Sequence, residues 1–292
     1  MIKIPILKIN KFIFEKNDHE FYANNLISHC NEFLNSIALP HKHDFYLTVL
    51  FTAGTGIHEI DFTSYDITAG SVFLLNPGQT HHWTLSDDID GYIFFHSESF
   101  YDLYYTDKKV AEFPFFYTRQ NTPKIQLPSS ELKIVSEYFQ KINYEYTNQH
   151  LLRFHKIRSL IDLLYIDLTR LYNYKNEITK TKNNSYFTQL HQLEKLIEEH
   201  FKTEKSPHKY AKQLNISTKH LNRIVQTILN KTTQDLISER IILESKRMLI
   251  GSKFTLSNIA LELGYDDYSY FTRFFKKKTF ETPSEFLKKY QK

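Results

Sequence analysis

Cysteine is nearly absent: Cys30 is the only one in 292 residues. That excludes an internal disulfide framework and any cysteine-based zinc cluster, and it fits a reducing compartment. Glycine is scarce as well, with seven residues in all. None are grouped as a GxGxxG or Walker-type loop, so phosphate cradling of those kinds is not expected. No apolar run approaches the roughly 20 residues that a membrane helix needs. The first residues, MIKIPILKINKFIFEKNDHE, have neither a long apolar core nor a small-residue cleavage pattern. These absences predict a soluble cytoplasmic protein with no membrane partner.

What is present is an ordinary globular balance, 41% hydrophobic and 24% charged, in a chain long enough for about two domains of roughly 150 residues. The charge is unevenly placed. Residues 1–184 hold 18 Lys and Arg against 21 Asp and Glu, whereas residues 185–292 hold 19 against 12. A mildly acidic half joined to a basic half predicts that only the second meets a polyanion.

From about residue 8 to 118 the chain reads as short β-branched and aromatic runs: Phe45–Phe51, Ile57–Phe62, Ser71–Leu75 and Tyr92–His96. Gly, Pro and Asp mark the breaks between them. Such spacing predicts an all-β barrel or sandwich. After Pro128 the pattern becomes helical. Ser129 or Ser130 can cap a helix that runs through Tyr144. A second helix over 151–172 places Ile157, Leu160, Ile161, Leu164, Leu168 and Leu171 on one face. That face either packs on the barrel or forms part of a dimer seam. Residues 173–186 are apolar-poor and read as a linker.

Residues 187–292 read as helices containing two related helix–turn–helix units. In the second, Ile259, Ala260 and Leu263 face inward, Gly264 ends the first helix, and Asp266 or Asp267 caps the next. Phe271, Phe274 and Phe275 form that helix's buried stripe. Tyr268, Ser269, Thr272, Arg273 and Lys276 form its outer side, with groups suited to base edges or phosphates in a major groove. In the first unit Leu221, Ile224 and Val225 point in, and Lys219, Asn222 and Arg223 point out. Asn suits adenine and Arg suits guanine.

The segments SERIILESKRML (238–249), LSNIALELG (256–264), YDDYSYFTRFFKK (265–277) and Thr282-Pro283-Ser284 closely resemble the C-terminal signature of the AraC/XylS family of transcription regulators. The resemblance covers about residues 190–290. It implies base contacts from Lys219, Asn222 and Arg223, and from Tyr268, Ser269, Thr272 and Arg273. The chain departs from the pattern at Ser245, where Ala is usual, at Val225-Gln226, where Phe-Lys is usual, and at Leu287, often Arg. Asn230 and Phe280 stand where Gly is common.

Upstream, Pro40-His41-Lys42-His43 and Pro77-Gly78-Gln79-Thr80-His81 look like the two cupin motifs. His41, His43 and His81 could converge on a metal. The carboxylate that metal-binding cupins usually add is missing, since the following residues are Tyr46-Leu47-Thr48. The resemblance instead implies a pocket for a small effector, a sugar or other metabolite, near His43, His81 and Trp83, with Tyr92 and Phe94 on the following strand.

The expectation is therefore an α+β multidomain chain. A cupin-like effector-sensing barrel (1–128) precedes a helical dimerisation segment (129–172), a linker (173–186) and an all-α DNA-binding domain (187–292). It would act as a non-enzymatic, cofactor-free homodimer on promoter DNA, an activator working with RNA polymerase. The alternatives are a metal-dependent cupin enzyme with an accessory DNA-binding tail, and an effector-independent regulator.

Overall fold

The computed structural model describes residues 4–13, 20–37, 39–105, 108–116, 121–148, 150–176, 184–251 and 254–290. The chain divides into two compact units, Pro5–Thr181 and Lys182–Lys292 with Met1–Ile4.

The first unit contains β1 (Ile6–Leu7), β2 (Phe21–Asn25), α1 (Leu26–Ile37), β3 (Lys42–His43), β4 (Tyr46–Ala53), β5 (Gly56–Ile60) and β6 (Thr63–Ile67). It continues with β7 (Ser71–Leu75), β8 (His81–Leu85), β9 (Asp90–His96), α2 (Glu98–Asp102), β10 (Lys124–Gln126), α3 (Ser129–Asn148) and α4 (Arg153–Asn176). A five-stranded antiparallel sheet has the order β10-β7-β4-β9-β2, and a three-stranded sheet has the order β6-β5-β8. β1 pairs with β3 in parallel.

Both faces of the five-stranded sheet are buried, and the two-residue period of the strands sorts their side chains between two cores. Leu47, Val49 and Phe51 of β4, Phe73 and Leu75 of β7, and Ile93 and Phe95 of β9 join Ile60, Ile67 and Trp83 of the small sheet in the interior core. The alternate residues Tyr46, Leu50, Val72, Leu74 and Phe94 pack on the helices, against Phe139 and Ile142 of α3 and Ile157, Ile161, Leu164 and Leu168 of α4. The apolar face of the second helix is thus spent on the sheet.

Three boundaries differ from the sequence expectation. Residues 26–37 are helical within a stretch read only as strands, and Leu26, Phe33 and Ile37 of that helix are buried. That spacing is helical, and neighbouring strand signals obscured it. α3 continues a turn beyond Tyr144. α4 takes residues 173–176 and the next helix takes 184–186, both from the segment read as linker. Only Lys175 among those residues is a strong helix former, so the helical backbone there runs past the last apolar position that spacing could mark. Residues 177–183 lie outside the described residues.

The second unit contains α5 (Asn184–His200), α6 (Pro207–Gln213), α7 (Thr218–Leu229), α8 (Thr233–Gly251), α9 (Leu256–Glu262), α10 (Tyr268–Thr279) and α11 (Pro283–Tyr290). Its two helix pairs, α6–α7 and α9–α10, repeat one plan. Ala211 O accepts from Ile216 N–H just as Ala260 O accepts from Tyr265 N–H. Asn215 (φ 55°) and Gly264 (φ 73°) make the left-handed turns. Ser217 accepts from His220 N–H, and Asp267 accepts from Ser269 N–H, as N-caps. α7 and α10 both end on left-handed residues, Asn230 and Phe280. α8, 19 residues long and hence about 28 Å, joins the pairs.

Candidate functional site

The interior of the β unit holds a chain of imidazoles. His43 Nδ1 lies 3.1 Å from Phe45 O, and a carbonyl can only accept, so that nitrogen carries the proton. Burial holds His43 at about 3, far below the usual 6.5, so the ring is neutral and its Nε2 is bare. His81 Nε2 is 3.1 Å away and must donate to it. Burial also holds His81 neutral, so its Nδ1 accepts from His58 Nε2–H at 2.9 Å. The relay ends at His58 Nδ1, a fully buried lone pair with no partner among the described residues. Trp83, the cross-strand neighbour of His58, has a buried indole N–H without a partner among the described residues.

His43, His81 and Trp83 are therefore brought together, as the two motifs implied. Tyr92 and Phe94 are not with them. Their side chains leave the other face of β9: Phe94 packs on Phe139, and Tyr92 OH accepts from Gln140 Nε2. Positions 92 and 94 share one parity and Ile93 and Phe95 the other, and only the latter pair faces the interior. His58 was missed by the sequence reading. Its inward position in the alternation of Ile57–Phe62 was the available signal.

His41 sits beside His81, with ring centroids 4.5 Å apart, and its Nδ1 donates to Leu39 O. Among the described residues no group of three His, Cys, Asp or Glu side chains has the geometry to hold a metal ion. In the arrangement present, the facing nitrogens of His43 and His81 are spent on each other. The single cysteine offers no nucleophile, because burial pushes the Cys30 thiol up to about 11. No described helix is long and apolar enough to cross a membrane.

A second buried network ties the sheet to α4. His96 Nδ1 donates to Ser97 O. His96 is kept neutral by burial, at about 4, so its Nε2 accepts from Tyr165 O–H at 2.9 Å. Tyr165 in turn accepts from Thr48 Oγ1.

In the second unit, Ile224 and Val225 of α7 and Phe271 and Phe275 of α10 are buried. Phe274, expected with them, is half-buried and stacks on Tyr265. Lys219, Arg223, Ser269, Arg273 and Lys276 are exposed. Asn222 differs from the expectation. It is half-buried, and its side-chain oxygen accepts from Thr233 N–H at 3.0 Å. Its acceptor is thus spent on capping α8 rather than offered to an adenine. Tyr268 and Thr272 are half-buried, and Thr272 Oγ1 is enclosed without a partner among the described residues.

A model described as "AraC-like ligand binding domain" matches residues 36–104, and one described as "Helix-turn-helix domain" matches residues 210–289. The chain is an AraC-family transcription regulator. The activator RhaR of Mannheimia succiniciproducens is 22% identical over 258 residues, covering 86% of this chain and 88% of that one. RhaR of Escherichia coli strain K12 is 20% identical over 278 residues, 91% and 93% of the two chains. Among solved structures, ToxT of Vibrio cholerae, bound to an unsaturated fatty acid, aligns with 94% of this regulator and 97% of its own chain. The identity is 15% and the TM-score 0.42. By the two family models, the regulator joins a ligand-binding β unit to a helix-turn-helix, DNA-binding unit.

Proposed function

We propose that this regulator activates transcription as a cytoplasmic homodimer on promoter DNA, in response to a small molecule held in the interior of its β unit, and without enzymatic chemistry. The carrying observation is the repeated, capped helix pair, whose second helices expose Lys219 and Arg223 in one copy and Ser269, Arg273 and Lys276 in the other. Arg can read guanine O6 and N7 in a major groove, and the lysines meet phosphates. Ile134 of α3 and Leu163 of α4, each 50% exposed, favour a seam between two copies on the helices' outer side. Curated relatives named as activators favour contact with RNA polymerase at the promoter. Effector control requires different effector affinities in the DNA-competent and DNA-incompetent arrangements.

A salt-titrated binding assay of the full chain on its own upstream DNA and on scrambled DNA tests the reading. The expected preference for the genuine sequence is at least about a thousandfold. Arg273→Ala is expected to cost about 1–3 kcal/mol on the genuine site and to relax one base position. Equal binding of both DNAs would reduce the helical unit to a phosphate binder. An Arg273→Ala protein with unchanged base preference would take that residue off the interface.

A further inference from the structure

Two buried atoms in the interior of the β unit that lack a partner among the described residues narrow the class of molecule it binds. Among the described residues, His58 Nδ1 is an acceptor without a donor, and Trp83 Nε1–H is a donor without an acceptor. They belong to residues directly opposite one another on β5 and β8, with ring centroids 5.4 Å apart. Buried polar atoms are normally hydrogen-bonded, so such a pair on neighbouring strands marks a place where something else supplies the partner. His58 cannot become a donor at Nδ1 by shifting its proton. Its Nε2–H is committed to His81, whose own Nε2–H is committed to His43, whose Nδ1–H is anchored on Phe45 O.

We infer that His58 and Trp83 together hold a single hydroxyl group of a neutral, otherwise apolar effector, an alcohol or phenol. The hydroxyl proton goes to His58 Nδ1 while the hydroxyl oxygen accepts from Trp83 Nε1–H. A hydroxyl meets both demands with one oxygen. A carboxylate would satisfy Trp83 but turn lone pairs toward the lone pair of His58, and an ammonium could donate to His58 but accept nothing from Trp83. A sugar would bring many hydroxyls to surroundings that are largely aromatic: the His58 ring lies 4.5 Å from that of Phe73, and Trp83 meets Phe51 edge-on. The inference rests on the effector-responsive reading of this same interior.

Trp83 is the only tryptophan, so its indole N–H gives one resonance in full-length protein labelled with 15N-tryptophan. The probes are benzyl alcohol, toluene, benzoate and glucose. Benzyl alcohol should move that resonance saturably and bind at least about tenfold more tightly than toluene, because a site built around a hydroxyl rejects the analogue that lacks it. Benzoate and glucose should leave it in place. His58→Phe should erase the preference for benzyl alcohol over toluene. The wild-type comparison stands even if that variant fails to fold.

An equal or larger response to benzoate or glucose would overturn the inference. So would a resonance that no probe moves, which would mean that a water molecule alone fills the place. A resonance that answers Zn2+ alone at stoichiometric concentration would also overturn it, since a metal would reverse the imidazole order. Specific DNA binding measured on the same sample separates the two failures. If preference for the genuine upstream sequence persists, only the effector class has fallen; if it is lost, the regulator reading has fallen as well.

Discussion

Asn222 and Thr272 stand at corresponding places on the second helices of the two DNA-binding pairs, and their side chains meet different surroundings. Asn222 accepts from the N–H of Thr233, the first residue of α8. The residue corresponding to Thr233 in the second copy is Pro283, the first residue of α11, which has no N–H to give. Thr272 Oγ1 is accordingly buried with no partner among the described residues. Asn222→Ala should therefore behave as the loss of a cap, lowering stability by about 1 kcal/mol, with base preference unchanged in a selection from randomised sites. Thr272→Val exchanges an unpaired hydroxyl for a methyl of the same shape and should be neutral or stabilising by up to about 1 kcal/mol. Denaturant melts of the two variants would check both. A shift in base preference for Asn222→Ala would return that residue to the interface. The polar outer face of α7 was legible in the sequence, but a helix surface pattern does not show that a neighbouring helix N-terminus competes for one of its side chains.

At the scale of elements, the caps and turns of the helical unit were the most legible features, because each is set by a few adjacent residues. Ser217, Asp267 and Gly264 do what their chemistry indicates, and Thr232–Asp235 and Thr282–Glu285 form reciprocal capping boxes at the starts of α8 and α11. The face assignment of β9 was not legible. With both faces of the five-stranded sheet buried, Tyr92, Ile93, Phe94 and Phe95 are all apolar, and hydrophobicity cannot say which parity faces the interior. Only the packing of α3 and α4 decides it. His58 escaped for a related reason, since its role depends on pairing with Trp83 across strands. The two helix ends carry a test of their own. Phe280 holds φ 65° while 92% exposed, a left-handed conformation that costs a residue with a Cβ roughly 1–2 kcal/mol. Phe280→Gly should recover about 1 kcal/mol, less whatever the freer unfolded chain takes back. Gly264 is the opposite case: a Cβ there would lie 2.0 Å from Lys202 O. Gly264→Ala should destabilise the unit by more than about 2 kcal/mol. Thermal melts followed by far-ultraviolet circular dichroism would measure both, and a destabilised Phe280→Gly would remove the strain argument.

For the whole molecule, acid sensitivity is concentrated in the β unit. Burial lowers His29 and His43 to about 3 and His96 to about 4, and it also lowers His41, His58 and His81. All six lie in the unit Pro5–Thr181. Above pH 6.5 such an imidazole is neutral whether the unit is folded or unfolded, so it makes no demand. Below 6.5 the unfolded chain takes up the proton and the folded unit does not, so stability falls with pH until the folded value near 3 or 4 is reached. For His43 alone the loss at pH 5 is about 2 kcal/mol relative to pH 7. Several groups of this kind weigh heavily against a typical domain stability of about 5–15 kcal/mol. The β unit should therefore unfold on acidification between about pH 6 and 4, and Trp83 fluorescence reports it directly because Trp83 packs on the interior core. His29→Phe removes one titrating ring from a setting of Phe12, Phe33 and Phe95. It should reduce the pH dependence of the urea midpoint by about one proton's worth, about 1.4 kcal/mol per pH unit. A midpoint independent of pH between 7 and 5 would mean that the imidazoles charge within the fold. The neutral relay from His58 through His81 to His43 would then fail with it.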